Sequence, residues 1–215
     1  MNLFILSACP RQCAQWMFDV HIVKIITEAI QMLCVAKRMR DPEADHSGLY
    51  GASHVNHPVT IWVRESAENY RWTMALCDAM HDEWKYRFDH EESRVHGAYQ
   101  KMLLLDPPRD EAFPQRSLTK FAQAMPEEYR CDDSIEAYHR YYQSPDKQRL
   151  ASWRKRDRPD WFVPDPRFFG LRLRRLAKEG KRRARDTDVK SEPVEDGIGP
   201  APIVERLRPR KKKTT

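Results

Sequence analysis

The stretch Cys13–Met39, CAQWMFDVHIVKIITEAIQMLCVAKRM, decides the fold. It contains no Pro or Gly, so it predicts one long helix or two nearly collinear helices. Between Val20 and Ala36 almost every residue is apolar, which is typical of a helix that lies inside a protein. Four polar residues interrupt this surface at spacings that place them on one stripe of the helix, and they are His21, Lys24, Glu28 and Gln31.

This polar stripe has two interpretations. Burying a charged group costs free energy unless the group is paired, so the stripe is either an internal salt-bridge network or the floor of a functional site. A lysine in apolar surroundings loses basicity and becomes a usable nucleophile, and a neighbouring carboxylate can transfer protons. On the second interpretation we expect Lys24, Glu28 and His21 to be the catalytic residues. The structural alternative stays open, because Lys24 and Glu28 are also an ordinary i,i+4 helix pair.

A second helical pattern begins at Pro58. Apolar residues from Val59 to Phe88 keep a 3.6-residue period for about eight turns. Shorter helices are expected over 91–105 and from Ser134, where Asp133 is the predicted N-cap. No strand pattern or internal repeat is evident, so the sequence predicts an all-α fold: a compact bundle built on two long packed helices.

Composition limits the class of protein. The chain has 215 residues, of which 40% are hydrophobic and 33% charged. No run of about 18 apolar residues occurs, so no membrane span is predicted, and no signal peptide is recognised. The five cysteines favour free thiols in a reducing compartment, so we expect a cytoplasmic protein. A metal site using Cys9, Cys13 and a histidine is a weak alternative, and we expect neither a metal nor a cofactor.

Positive charge is concentrated towards the C-terminus. Residues 145–185 contain 15 Lys and Arg against 5 Asp and Glu, which favours a polyanionic partner, usually nucleic acid. For the last ten residues a solubilising tail is the competing interpretation. We predict a core domain over 1–165, a basic helical extension over 166–185 and a disordered basic tail over 186–215. The residues expected to bind nucleic acid are Arg172, Arg174, Arg175, Lys178, Lys181, Arg182 and Arg183.

A second polar cluster precedes and enters the helix that starts at Pro58. Donors at a helix N-terminus suit phosphate, although Asn56 or His57 could simply cap the helix. If the two long helices pack antiparallel, this cluster and the Glu28 stripe face one cavity. The residues expected to bind substrate are His54, Asn56, His57, Arg64, Asn69 and Gln31. The chain lacks a Gly-rich phosphate loop, an HExxH motif and a GxSxG motif, so kinase, zinc-peptidase and α/β-hydrolase functions lack support.

Three short patches within residues 2–90 carry a family resemblance. They are the NLFILS opening, the Asp19-Val-His-Ile pattern followed by Glu28, and the segment GASHV at 51–55. In this order they resemble the phage pyrimidine-dimer DNA glycosylase/AP lyases of the endonuclease V type. The segments DVHIVK, HVNHP, WVRES and FAQAMPEEY are also similar to a group of uncharacterised phage proteins.

The resemblance implies a compact all-α fold, DNA as substrate, no metal, and Glu28 as the catalytic glutamate. The family nucleophile is the α-amine exposed after removal of the initiator Met. Two positions depart from the pattern: Asn2, whose bulk normally blocks Met removal, and Thr27, which stands where the family has Arg. Because apolar surroundings are expected around Lys24, we predict Lys24 as the nucleophile, with the N-terminal amine and water as alternatives.

The sequence therefore predicts a monomeric DNA-acting enzyme, in the host cytoplasm if its source is a virus. Its predicted activity is that of a glycosylase or glycosylase/AP lyase that removes a damaged or modified base. Two alternatives stay open: a non-catalytic DNA-binding protein with the same fold, and an enzyme of modified-nucleotide metabolism.

Overall fold

The computed structural model describes residues 1–168, and within this range the chain is helical and has no β-strand. The all-α prediction is confirmed. The seven basic residues predicted to bind nucleic acid, Arg172 to Arg183, and the predicted tail over 186–215 lie outside the described residues. Among the described helices, none is long and apolar enough to cross a membrane.

The deciding stretch forms two helices, α1 (Pro10–Trp16) and α2 (Asp19–Arg40). The break falls at Met17 and Phe18, whose ψ angles of 148° and 152° are extended. The carbonyl groups at the end of α1 are satisfied by the fully buried guanidinium of Arg87, which donates hydrogen bonds to Ala14, Gln15 and Met17. A buried cation at a helix C-terminus satisfies both the free carbonyls and the helix dipole.

Arg87 belongs to a buried ionic network that joins distant parts of the chain. Its guanidinium pairs with Glu83 at 2.8 Å and with Asp19 at 3.2 Å. The carboxylate of Asp19 also accepts hydrogen bonds from the Ser152 hydroxyl at 2.6 Å and the Arg154 backbone N–H at 2.8 Å. Because each carboxylate has several donors, the cost of burying these charges is offset.

The second predicted helix is interrupted, so the prediction of one continuous helix from Pro58 to Phe88 is wrong. It forms α3 (Pro58–Glu65) and α4 (Ala67–Phe88), separated by Ser66 with a ψ angle of 145°. The hydroxyl of Ser66 donates to the carbonyl of Ser117 and accepts from the N–H of Glu68, which caps α4. The 3.6-residue period continues past this break, which is why the sequence pattern did not reveal it.

The helices α2 and α4 pack against each other along the core, and α1 and α3 pack beside them. This confirms a bundle built on two long packed helices. The N-terminal segment runs through the same core, since Leu3, Ile5 and Leu6 are fully buried. It thereby places residues 1 and 2 beside α2.

Three further α-helices are short: α5 (Tyr99–Met102), α6 (Ser134–Tyr142) and α7 (Pro145–Gln148). Single 3-10 turns lie at Asp110–Ala112 and Glu127–Tyr129. The helix expected over 91–105 is therefore reduced to one turn. Asp133 caps α6 as predicted, and its carboxylate accepts from the N–H groups of Ile135 and Glu136. This end of the bundle brings α6 and α7 close to the N-terminal segment.

Candidate functional site

Glu28 is the centre of the candidate site. Its side chain is 15% exposed, and Oε2 accepts a 2.8 Å hydrogen bond from the backbone N–H of Asn2. The amino group of Met1 lies 3.7 Å from the same oxygen. On the other side, Nζ of Lys24 lies 3.6 Å from Oε1. One carboxylate therefore faces two amines, which the polar stripe alone could not indicate.

The side chain of Asn2 fixes this arrangement. Its Oδ1 accepts hydrogen bonds from the N–H groups of Leu3 and Phe4 and from the hydroxyl of Tyr138 at 2.9 Å. Its Nδ2 donates to the carbonyl of Ala124 at 2.6 Å. From the sequence, Asn2 was notable only as a departure from the pattern of the resembled family. The one signal of its role was a polar side chain that begins an otherwise apolar segment.

The surroundings of Lys24 differ from those predicted. Its side chain is 70% exposed, and its helix neighbours Val20 and Val23 are also exposed. The apolar residues of α2 do not enclose Lys24, because this face of the helix lies at the surface. The prediction of an apolar environment for Lys24 is wrong. Because that environment was the reason for preferring Lys24 as the nucleophile, the preference no longer has support.

Lys147, in α7, is a third cation at the site. Its Nζ lies 4.3 Å from the ring centroid of Phe4 and 5.0 Å from that of Tyr141. Partial burial and, to a smaller extent, the charge of Lys24 lower the pKa of Lys147, while Glu28 opposes this shift. No local sequence pattern indicated Lys147, because only the fold brings α7 to the rings of Phe4 and Tyr141.

His21 supports the floor of the site. It is 4% exposed, stacks on Phe4 at 4.5 Å, and its Nδ1 lies 2.6 Å from the hydroxyl of Tyr142. Burial and the charges of Lys147 and Lys24 lower its pKa from 6.5 to about 3, so the ring is neutral. A buried, hydrogen-bonded imidazole positions Phe4 and does not reach a substrate, so we no longer assign a catalytic role to His21.

His57 settles which residue caps α3. Its Nδ1 accepts the N–H of Val59 at 3.3 Å, so His57 is the N-cap and Asn56 is exposed. Partial burial lowers the pKa of His57; the amino group of residue 1 and His54 add to this shift, and Glu28 opposes it. His57 is thus close enough to Glu28 for the two to interact electrostatically. The expectation that His54, His57 and the Glu28 stripe face one cavity stays a prediction.

Two further residues predicted to bind substrate, Arg64 and Gln31, have different surroundings. The guanidinium of Arg64 donates to the carbonyl of Val55, and its own carbonyl accepts from Nε of Arg40 at 2.8 Å. Arg64 therefore anchors the loop that carries His54 and His57. Gln31 is half-buried and lies one turn after Glu28 on α2.

Asn69 has a structural role. It is fully buried, and its amide donates to the carbonyl of Trp62 and to Oγ1 of Thr119, both at 2.8 Å. Its Oδ1 accepts the N–H of Thr119 at 3.0 Å. Because all these contacts are internal, Asn69 is removed from the set of substrate-binding residues.

The Cys9–Cys13 metal alternative finds no support. Cys9 is exposed, whereas Cys13 is buried and its thiol donates to the carbonyl of Phe4 at 3.3 Å. Burial raises the pKa of Cys13 to about 12, which disfavours the thiolate that binds metal. Within residues 1–168 no group of three His, Cys, Asp or Glu side chains could hold a metal ion.

Comparison of the chain with protein-family models, with curated proteins and with solved structures gives no match. The candidate site contains the Glu28 carboxylate with the amines of Met1 and Lys24 beside it. It also contains the amine of Lys147, which lies over two aromatic rings, and His57 at the N-terminus of α3.

Proposed function

We propose that this protein is a DNA glycosylase, or a glycosylase/AP lyase, that uses an amine at Glu28 to attack C1′ of a damaged or modified nucleotide. The observation that carries the proposal is the contact of Glu28 with both the N-terminal segment and Lys24. A carboxylate beside an amine supplies a proton acceptor for the attacking amine and a proton donor for the departing group.

The proposed reaction balances without a cofactor. The amine nitrogen gives its lone pair to C1′, and the glycosidic C–N bond breaks with its electrons going to the base. The amine nitrogen loses its first proton, and the departing base gains one. The nitrogen then expels O4′ of the sugar ring, and its second proton passes to O4′, so that the opened sugar is joined to the protein by a C1′=N imine. Hydrolysis of this imine returns the amine, whereas β-elimination from it cuts the strand.

The amino group of residue 1 is the proposed nucleophile. It is held 3.7 Å from Glu28 by the Asn2 contacts, whereas Lys24 is exposed and tethered only by its own helix. If Met1 were removed, the nitrogen of Asn2 would take its place, already 2.8 Å from the carboxylate. This assignment applies to a chain whose residue 1 carries a free amine. The proposed role of Lys24 is then that of an electrostatic partner of Glu28.

DNA is the proposed substrate because of charge. Residues 145–185 carry 15 Lys and Arg against 5 Asp and Glu, and α7 at the start of this region reaches the Glu28 site through Lys147. Neutralising phosphates with such residues gives binding that weakens as salt increases. The excess of positive charge in this sequence region supports a duplex as the partner, and Lys147 is one of these charges that interacts electrostatically with Glu28.

Borohydride trapping tests the proposal. Protein with a free residue 1 is incubated with a panel of duplexes that carry different base lesions, including an abasic site, and reductant is added. We expect a covalent adduct with the abasic duplex and with at least one lesion, and no adduct with undamaged DNA. The matched control is Glu28→Gln, which should give none.

The negative results are also informative. Release of a base without an adduct would indicate a glycosylase that uses water. Duplex binding with neither base release nor an adduct on any substrate would favour the non-catalytic DNA-binding alternative.

A further inference from the structure

The Glu28 site carries more positive than negative charge. Lys24 lies 3.6 Å from the carboxylate of Glu28, and Lys147 interacts electrostatically with both residues. Even without the amino group of Met1, the two ammonium groups outnumber the carboxylate, and only Lys24 lies within ion-pair distance of it. An excess of charge in a partly buried place is costly unless a ligand of opposite sign offsets it.

Lys147 is the cation without a carboxylate of its own. Among residues 1–168 no carboxylate lies within ion-pair distance of its Nζ, and Nζ makes no hydrogen bond there. Its neighbour Asp146 is 92% exposed and lies 3.9 Å from Arg149. The contacts of Lys147 are instead the ring faces of Phe4 and Tyr141. Cation–π contacts fix the position of an ammonium group but leave its N–H donors available.

Of the two rings that Lys147 contacts, Phe4 is buried and Tyr141 is half-buried. The Phe4 ring is 5% exposed, stacks on His21, and contacts Tyr142 edge to face at 5.3 Å between centroids. Phe4 holds a φ angle of +50°, which a bulky residue adopts only when its surroundings require it. The ammonium of Lys147 is therefore held on a ring that is itself fixed by its neighbours, whereas the side chain of Lys24 is 70% exposed.

We infer that Lys147, together with Lys24, binds a phosphate group of the substrate next to the sugar that Glu28 faces. A lysine acts on phosphate as a compact positive charge with three donors. The inference rests on the proposed function for its choice of DNA. The same chemistry would also recognise the phosphate of a free nucleotide, so the test includes both sources.

The test uses binding and not catalysis. Lys147→Gln keeps much of the side-chain length and removes the charge, and Lys120→Gln, at an exposed position, is the matched control. The ligand is a duplex containing a tetrahydrofuran abasic analogue, which cannot form the imine. A second duplex carries uncharged methylphosphonate linkages on both sides of the analogue. Dissociation constants are measured by fluorescence anisotropy at low salt.

We expect Lys147→Gln to weaken binding of the first duplex about tenfold, as removal of one charge-assisted hydrogen bond predicts. The methylphosphonate duplex should bind the natural protein about tenfold more weakly as well. The two changes together should cost little more than either alone, because they remove the same interaction. Lys147→Arg should restore most of the affinity, and Lys120→Gln should bind as the natural protein does.

The remaining outcomes separate this inference from the proposed function. Suppose the duplex binds no better than undamaged DNA, while a deoxynucleoside 5′-monophosphate binds the natural protein and not Lys147→Gln. The phosphate site then stands and the DNA function falls. Unchanged affinity of Lys147→Gln for both ligands would overturn the phosphate site, whatever trapping shows. If Lys147→Gln loses stability through Phe4, the methylphosphonate duplex decides, and equal binding by the natural protein overturns the inference.

Discussion

The backbone N–H of Asn2 donates a 2.8 Å hydrogen bond to Oε2 of Glu28, which ties the N-terminal segment to the middle of α2. Glu28 therefore contacts the N-terminal segment as well as Lys24 on its own helix. The carboxylate has one oxygen directed to the N-terminal segment and the other to Lys24, so a change at Glu28 affects both amines.

For Glu28→Gln we expect loss of activity with little loss of stability. The glutamine oxygen can still accept the N–H of Asn2, whereas proton transfer is lost. Trapping should disappear, and the melting temperature should fall by no more than about 4 °C, which corresponds to about 1 kcal/mol for a chain of this size. A large fall in melting temperature with unaltered trapping would show that Glu28 is structural.

The site of covalent attachment distinguishes the two amines. Peptide mapping of the reduced adduct should locate it on residue 1, and Lys24→Arg should still trap. Acetylating the N-terminus should abolish trapping, since an amide nitrogen is not a nucleophile. An adduct on the peptide that contains Lys24 would restore the prediction made from the sequence.

Asn2→Ala should destabilise the protein. The change removes one acceptor with three donors and one donor to Ala124, in a buried setting. Unpaired buried groups cost about 1–3 kcal/mol, so we expect a loss of roughly 2–4 kcal/mol in chemical denaturation. The control is Asn56→Ala, at an exposed position, which should change stability by less than about 0.5 kcal/mol. Equal effects of the two changes would refute the role given to Asn2.

His21 should make stability depend on pH. Its pKa is about 3 in the folded protein and about 6.5 in the unfolded chain, so between these values the unfolded state binds more protons. The free energy of unfolding should therefore decrease as pH falls below about 6.5, and at pH 5 the loss from this residue should be roughly 2 kcal/mol. His21→Gln should remove this part of the pH dependence. His54→Gln, at an exposed position, should leave it unchanged.

Removal of the basic C-terminal region tests whether it binds DNA. A chain that ends at Phe168 keeps every described residue and lacks all seven of the arginines and lysines predicted to bind nucleic acid. Its duplex affinity should be weaker, and the slope of log K against log salt should decrease by about 0.9 for each phosphate that the shortened chain no longer neutralises. An unchanged slope would mean that the region only improves solubility.

The sequence predicted the elements that depend on periodicity. The all-α class, the two long packed helices and the Asp133 cap follow from local patterns, and each is confirmed. The break at Ser66 could not be predicted, because it is stabilised by Gln115 and Ser117 across the fold.

The site was predicted only in part for the same reason. Glu28 and Lys24 share one helix, and their spacing was sufficient to place them together. Asn2 contacts Glu28 through the tertiary fold, and Lys147 is positioned by the rings of Phe4 and Tyr141. No pattern within α2 could reveal either residue. The exposure of Lys24 was also decided by what packs against α2, and not by the apolar residues around it in the sequence.

The Asp19 carboxylate is completed by Ser152 and Arg154, and Glu83 is paired with Arg156, so the corner between α1 and α2 is closed by residues far along the chain. Contacts of such long sequence separation form late, because closing a long loop is slow. During synthesis on the ribosome, the ionic network between α1, α2 and α4 therefore cannot be complete until residues near 156 have left the exit tunnel. Nascent chains that stop before these residues emerge should be open to proteolysis.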